Sequence, residues 1–178
     1  MDIQSVFAAI DERKEELFAL LSRLVQFDSQ SFGSWGKEKE IAEYIHNLCL
    51  EMGLQSSLYS PMELEGFGDH PDYMPGRHLE DRYNVTACWK GTEDKNELML
   101  MAHNDTVAIG DLSNWDFDPL SGEIRDGKIW GRGAGDDKYA LATCLFLIKL
   151  LQDNGFTPKK NLIFSHFFLP AFWRKNEP

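Results

Sequence analysis

The sequence has few cysteines and no closely spaced pair of them. Its 178 residues include only Cys49, Cys88 and Cys144, which lie far apart. An odd and scattered set of this kind argues against a disulfide framework and against a zinc ribbon built on Cys-x-x-Cys pairs. Small buried thiols, two in helical patterns and one in a strand-like run, are the simplest interpretation.

The chain also lacks long apolar runs and an excess of positive charge. No stretch approaches the roughly 18 apolar residues that a membrane helix needs, and residues 1–5 show no signal-peptide pattern. We therefore expect a cytoplasmic protein without membrane contacts. With 18 Lys and Arg against 29 Asp and Glu, the formal net charge is -11. Such a polyanion repels phosphate backbones, so nucleic acid is not expected as a partner.

Hydrophobic periodicity predicts helices that alternate with strands. Apolar residues recur at three- and four-residue spacing in three predicted helices, residues 6–25, 37–52 and 137–154. Strands are predicted at residues 55–60, 83–89, 97–102 and 160–164, with a polar turn at 91–96 and a long irregular loop at 61–81. Asp126-Gly127 marks a hairpin. This order predicts an α/β fold with a mainly parallel sheet and a hairpin.

The segment from Ala102 to Thr106 follows directly on the third predicted strand. Residues i and i+2 of an extended chain point the same way, so His103 and Asp105 can face one site. Ligand sites of parallel sheets lie beyond the carboxyl ends of strands, and a metal-bound His usually has a carboxylate or carbonyl on its other ring nitrogen. On these residues alone, an ordinary strand-to-loop turn remains the simpler explanation.

A second notable segment is the run Gly-Arg-Gly-Ala-Gly-Asp-Asp-Lys at residues 131–138. Its aspartates could merely cap the following helix. A phosphate-binding loop is a poor alternative, because two carboxylates would repel phosphate and the Gly-x-Gly-x-x-Gly spacing is absent. A carboxylate pair attracts cations instead. Together with His103 and Asp105, Asp136 gives the usual composition of a hydrolytic metal site.

At this point the chain resembles the M20 metallopeptidases, which include acetylornithine deacetylase, succinyl-diaminopimelate desuccinylase, aminoacylase and glutamate carboxypeptidase. The resemblance extends from the first helix to Phe164. It rests on the ordered motifs His-x-Asp-Thr-Val, Gly-Asp-x-x-x-Trp, Phe-x-Pro-x-Ser-Gly, Asp-Gly-Lys and Gly-Arg-Gly-Ala-x-Asp. It implies a three-layer sandwich of the zinc exopeptidase type.

The resemblance also implies roles for three residues. His103 would bind one metal ion, Asp136 would bridge two Zn²⁺ ions, and Asp105 would orient His103. Co²⁺ or Mn²⁺ can replace zinc in the family. The substrate would be an N-acyl amino acid or a short peptide whose amide bond is cleaved, and a homodimer is expected of a full-length parent. Family members further carry a cis peptide after the bridging Asp, here Asp136–Asp137.

Several positions depart from the family pattern. Asn104, Asp137 and Tyr139 replace commoner residues. Asn104 is not a ligand position, whereas the extra carboxylate of Asp137 would raise the local cation affinity or misplace the cation, and Tyr139 would crowd the helix start. More importantly, the family places a Glu-Glu pair, a general base and a metal ligand, just beyond the strand at 160–164. This sequence has Ser165-His166-Phe167-Phe168 there, and no acidic residue follows until Glu177. We interpret His166 as a chance residue rather than as a substitute ligand.

These departures predict a division of the chain. Residues 1–164 would be the N-terminal part of the catalytic domain, residues 165–178 a divergent aromatic tail, and the lid or dimerisation domain would be absent. A frame slip or early stop explains the tail best, and an apolar hook for a partner or membrane is the alternative. The chain would then be an inactive fragment. The alternatives are a non-catalytic domain that binds a metal weakly or a protein partner, and an unrelated α/β domain with chance motifs.

Overall fold

The computed structural model describes residues 2–71, 73 and 75–168. These residues contain three α-helices and six strands. The helices are α1 (Ile3–Val25), α2 (Lys39–Glu51) and α3 (Tyr139–Asp153). The strands are β1 (Gln55–Tyr59), β2 (Asn84–Trp89), β3 (Glu93–His103), β4 (Glu123–Arg125), β5 (Lys128–Trp130) and β6 (Lys160–Phe167). The α/β class and the hairpin predicted from the sequence are confirmed. No described helix has the length and apolar character to cross a membrane.

The main sheet is mixed rather than mainly parallel. Its strand order is β1-β2-β6-β3, and β4 and β5 form a separate hairpin. Only β3 and β6 run parallel, whereas β2 is antiparallel to both β1 and β6. The prediction of a mainly parallel sheet is therefore wrong for the described residues. Parallel pairing needs a crossover connection, which α3 provides between β3 and β6. Between β1 and β2, the described residues form two short 3-10 turns and no α-helix.

All three helices contribute to one hydrophobic core on one face of the sheet. The sheet residues of this core are Val85, Ala87, Ala102 and Phe164. The helix residues are Leu24, Ile41, Ala42, Ile45, Cys49, Leu141, Ala142, Leu145 and Ile148. No described helix covers the opposite face. The described residues therefore build two layers of the predicted three-layer sandwich.

Two strands are longer than predicted. β3 begins at Glu93, so the predicted turn at 91–96 is wrong from residue 93 onward. The polar residues at the start of β3 are hydrogen-bonded to the buried Asn161. Its side-chain amide donates to the side chains of Asp94 and Asn96 and accepts from the backbone N–H of Gly91. β6 continues to Phe167 beside β3. The division into a catalytic part and a tail at residue 165 stays a prediction, and residues 169–178 lie outside the described part.

The hairpin β4–β5 packs against α1 through Gly122, which provides a test of the fold. Gly122 has a φ of 61°, and a Cβ there would overlap the carbonyl oxygen of Ser22. We expect Gly122→Ala to lower the free energy of unfolding by about 2–4 kcal/mol, because left-handed strain and backbone overlap add. Urea denaturation followed by circular dichroism would measure the loss.

Gly127 offers a matched control within the same hairpin. It has a φ of 70°, but a Cβ there would meet no atom within 4 Å. Gly127→Ala should therefore cost only the conformational strain, about 1 kcal/mol. Equal losses in the two variants would contradict the close approach of Gly122 to α1.

Candidate metal centre

The structure brings together the three site residues predicted from the sequence. His103 is the last residue of β3, and its Nδ1 lies 3.2 Å from Asp105 Oδ1. Its Nε2 lies 3.1 Å from Asp136 Oδ1. The imidazole ring therefore lies between two carboxylates from different segments of the chain. This arrangement is at the carboxyl end of the parallel pair β3–β6, the expected position for a ligand site.

Asp136 reaches His103 because the glycine-rich turn passes close to the end of β3. Gly133 has a φ of 83°, and a Cβ there would press against the side chain of Thr106. Glycine is therefore required at this position for two reasons, the left-handed backbone angle and the close contact with Thr106. The sequence pattern indicated this turn, but not which loop it would contact.

The turn itself has an irregular backbone. Residues Ala134–Lys138 form a single helical turn in which Asp136 and Asp137 have non-helical dihedral angles. The peptide bond between them is cis, which confirms the expectation for this position. Regular helix begins only at Tyr139, two residues later than predicted. Asp136 thus extends away from the helix, with 88% of its side chain exposed.

The buried Lys138 fixes this turn to the end of α1. Its Nζ donates a hydrogen bond of 2.8 Å to the carbonyl oxygen of Phe27. Burial lowers the pKa of Lys138 to about 8. A buried amine with a single strong acceptor resists displacement, because moving it would leave both groups without a partner. Lys138 therefore helps to keep Asp136 near His103.

The carboxylates make His103 unusually basic. The hydrogen bond to Asp105 is the largest cause, opposed by burial, and the charges of Asp105, Asp137 and Asp136 add to it. Together they raise the pKa of His103 to about 9. At neutral pH and without metal, the ring is therefore an imidazolium. A metal ion that binds Nε2 must displace one proton.

Nε2 of His103 and Oδ1 of Asp136 are within hydrogen-bonding distance of each other, and this separation is also compatible with two ligands of one metal ion. Two donors about 2.0–2.1 Å from a tetrahedral zinc lie roughly 3.3 Å apart, close to the observed 3.1 Å. The contact of Nδ1 with Asp105 is the usual support for a metal-bound His. Within residues 2–71, 73 and 75–168, however, no group of three or more His, Cys, Asp or Glu side chains could hold a metal. The described part provides a partial ligand set.

A buried ion pair near the site escaped the sequence analysis. Glu38 and Arg82 are both fully buried, with distances of 2.6 and 3.0 Å between their oxygen and nitrogen atoms. Arg82 also donates to Ser31 Oγ and stacks on Phe168 at 4.2 Å. Because 44 residues separate the two charges along the chain, no local pattern could have indicated the pair. Burial raises the pKa of Glu38, and Arg82 opposes this rise.

Two further buried polar residues lie beside the candidate centre. Asn104 and His166 are fully buried, and no side-chain nitrogen or oxygen of either has a hydrogen-bond partner. His166 lies in β6 opposite Ala102. Burial lowers the pKa of His166 to about 3.

Comparison with known proteins shows the family to which the chain belongs. The sequence profile of "Peptidase family M20/M25/M40" matches residues 99–168. An uncharacterized metallohydrolase of Methanocaldococcus jannaschii is 33% identical over 150 residues, which cover 83% of this chain and 35% of the relative. The N-formyl-4-amino-5-aminomethyl-2-methylpyrimidine deformylase of Halalkalibacterium halodurans is 30% identical, with 91% and 34% covered. The chain belongs to the M20 metallopeptidase family.

Solved structures support the M20 fold. Human carnosine dipeptidase 1 superposes with a TM-score of 0.72 at 18% identity, covering 92% of this chain and 34% of that structure. The dipeptidase Dug1p of Saccharomyces cerevisiae gives a TM-score of 0.71 at 19% identity, covering 93% and 34%. The present chain spans about a third of the length of the curated M20 relatives that it matches.

Proposed function

We propose that this chain carries the first half of a two-zinc amidohydrolase site. His103 and Asp136 would hold the metal, and Asp105 would orient His103. One observation carries the proposal: the two ring nitrogens of His103 face Asp105 and Asp136 at 3.2 and 3.1 Å. That distance to Asp136 suits two ligands of one ion, and the contact with Asp105 suits an orienting carboxylate. Co²⁺ or Mn²⁺ could replace zinc.

The residues of the chain would act by position and charge. A metal held at His103 and Asp136 would supply an activated water and polarise the scissile carbonyl group. Asp105 would keep the proton on Nδ1, leaving Nε2 free as the ligand. Lys138 would hold the turn that carries Asp136. Just beyond residue 164, where the family resemblance places the general base, this chain has the buried His166.

The substrate class follows from the relatives. Among those similar to this chain are a deformylase, succinyl-diaminopimelate desuccinylases and a probable carboxypeptidase S-like protein. Dipeptidases are among the structural neighbours. Their names share the removal of an acyl group or the cleavage of a peptide, and both reactions break an amide bond. We therefore propose N-acyl amino acids or short peptides as substrates of the complete enzyme, a cytoplasmic protein that forms a homodimer.

For the chain as given, we propose that it is inactive. It would consist of the N-terminal catalytic part, residues 1–164, and a divergent tail, residues 165–178. The partial ligand set of the described residues supports this view. Loss of a general base alone lowers proton-transfer assistance by about 10²–10⁴-fold. The second candidate function is weak metal binding without catalysis, which the pairing of His103 and Asp136 also favours.

Metal binding is the direct test. We expect Zn²⁺ to bind the purified chain in calorimetry, and His103→Ala or Asp136→Ala to reduce the affinity below detection. Asp105→Asn should reduce it by about 10–100-fold, as expected for an orienting partner. Because the pKa of His103 is about 9, protons compete with the metal. The affinity should therefore rise between pH 6.5 and 9, with release of a proton.

His46 provides the control for loss of a histidine elsewhere. Its Nδ1 bonds Ser56 Oγ at 2.9 Å, far along the chain from the candidate centre. His46→Ala should leave zinc affinity unchanged. Zinc binding that His103→Ala does not alter would refute the site. Turnover of N-acyl amino acids or dipeptides by the zinc-loaded chain would refute the inactive state while leaving the site intact.

A further inference from the structure

A short segment after α1, residues 27–31, contacts both loops that carry the carboxylates beside His103. We call it the anchor segment. At its start, the carbonyl oxygen of Phe27 accepts the hydrogen bond of 2.8 Å from Lys138, in the turn that carries Asp136. Further along, the anchor segment pairs with the loop that follows β3. One stretch of backbone therefore contacts both halves of the candidate centre.

Three hydrogen bonds from the anchor segment hold the residues on both sides of Asp105. The hydroxyl group of Ser29 donates to the backbone carbonyl oxygen of Asn104 at 2.6 Å. The backbone N–H of Thr106 donates to the carbonyl oxygen of Ser29 at 2.9 Å, and the backbone N–H of Ser31 donates to the carbonyl oxygen of Thr106 at 2.8 Å. Ser29, which is fully buried, takes part in two of the three bonds.

The burial of the two flanking residues determines the direction of the Asp105 side chain. Asn104 and Thr106 are both buried. Because side chains alternate along an extended segment, Asp105 lies on the same side of this segment as His103. Its Oδ1 is 3.2 Å from Nδ1 of the ring. The position of this carboxylate therefore depends on the backbone of residues 104 and 106, which the anchor segment holds.

The Ser29 hydroxyl is the one side-chain group in these three hydrogen bonds. Its bond therefore depends on the residue type at position 29, whereas the two backbone bonds do not. Without this donor, the carbonyl oxygen of Asn104 would lose a hydrogen bond in the protein interior, and a buried polar group without a partner is unfavourable. The backbone would shift toward another donor or admit a water molecule, and Asp105 would move with it.

We propose that Ser29 is a positioning residue of the candidate metal centre. Its hydroxyl group and its carbonyl oxygen bind the residues before and after Asp105, and so keep that carboxylate against the His103 ring. Ser29 acts only through Asp105 and is not itself a ligand. The expected effect on zinc binding rests on the proposed function. The contact between Asp105 and His103, in contrast, exists without metal and can be measured without it.

Ser22 provides a matched control for loss of the hydroxyl group. Its Oγ donates to the carbonyl oxygen of Gly122, also at 2.6 Å, where α1 meets the β4–β5 hairpin. In calorimetry, Ser29→Ala should weaken zinc binding by about 3–10-fold, less than the roughly 10–100-fold expected when an orienting carboxylate is lost. Ser22→Ala should leave the zinc affinity unchanged, and circular dichroism should show both variants folded.

A double variant distinguishes positioning from a general loss of structure. If Ser29 acts through the Asp105 carboxylate, its replacement has no route to the metal once that carboxylate is removed. Adding Ser29→Ala to Asp105→Ala should therefore change the zinc affinity by less than about twofold. Zinc binding by the wild type that Ser29→Ala does not weaken would overturn the proposal. Fully additive losses in the double variant would overturn it as well.

A spectroscopic measurement without metal separates this proposal from the proposed function. In the metal-free chain with ¹⁵N-labelled histidine, the proton that Nδ1 of His103 donates to Asp105 should give a ring N–H resonance at pH 7, identified by its loss in His103→Ala. Ser29→Ala should weaken or abolish this resonance, whereas Ser22→Ala should retain it. A wild-type chain that shows the resonance but binds no zinc would refute the metal site and leave the positioning role of Ser29 intact. A resonance that Ser29→Ala leaves unchanged, or its absence from the wild type, would overturn the proposal.

Discussion

Arg82→Met is expected to lower the free energy of unfolding by about 3–5 kcal/mol, because it leaves the Glu38 carboxylate buried without its counter-charge. Both side chains are fully buried, and Arg82 makes two hydrogen bonds to Glu38 at 2.6 and 3.0 Å. The total free energy of unfolding of a domain of this size is typically only about 5–15 kcal/mol. Urea unfolding monitored by circular dichroism at neutral pH would measure the loss.

A double-mutant cycle measures the coupling energy between Glu38 and Arg82 separately from the effect of each single replacement. Glu38→Leu with Arg82→Met removes both charges and both desolvation costs, so the double variant should be much more stable than the sum of the single losses implies. Lys39 is the control, since it neighbours Glu38 but forms an exposed pair with Asp81 at 2.7 Å. Lys39→Met should cost less than about 1 kcal/mol. Additive losses in the cycle would contradict strong coupling.

The buried pair of Glu38 and Arg82 is a feature that the sequence could not predict. Helix α2 could be predicted because apolar residues of one helix repeat at a spacing that periodicity detects. Glu38, at the start of that helix, gives no comparable signal, since a charged residue at a helix end is normally solvent-exposed. Its burial results from Arg82 and from the loop that brings Gly36 close to its carboxylate. Contacts between distant segments of this kind depend on the whole fold.

One part of the candidate centre was more predictable because it is local along the chain. His103 and Asp105 lie two residues apart on one extended segment, so strand geometry alone places them together. The cis peptide at Asp136 was expected only through the family resemblance, which adds information that propensity does not contain. The late start of α3 at Tyr139 was missed, because Asp136 and Asp137 suit a helix start equally well. Their actual role depends on the contact with β3.

His166→Leu is expected to make the chain more resistant to acid. Burial is the cause that lowers the pKa of His166 to about 3. The unfolded chain binds a proton below pH 6.5, whereas the folded chain does not until about pH 3. Stability is therefore lost as the pH falls through this interval, by up to about 5 kcal/mol at ~1.4 kcal/mol per pH unit. Unfolding free energies at pH 7 and pH 4 would show the difference between variant and wild type.

The free energy of unfolding of His166→Leu at pH 7 is as informative as its dependence on pH in acid. Both ring nitrogens of His166 lack partners, so Leu removes two unsatisfied polar atoms and sacrifices no hydrogen bond. His166→Leu should therefore be at least as stable as wild type at pH 7. The half-buried His46, which bonds Ser56, provides the control for removing a histidine. Large destabilisation by His166→Leu at pH 7 would mean that the ring has a partner, such as a buried water shared with Asn104. An unchanged acid slope would show that the ring is accessible to protons in the folded chain.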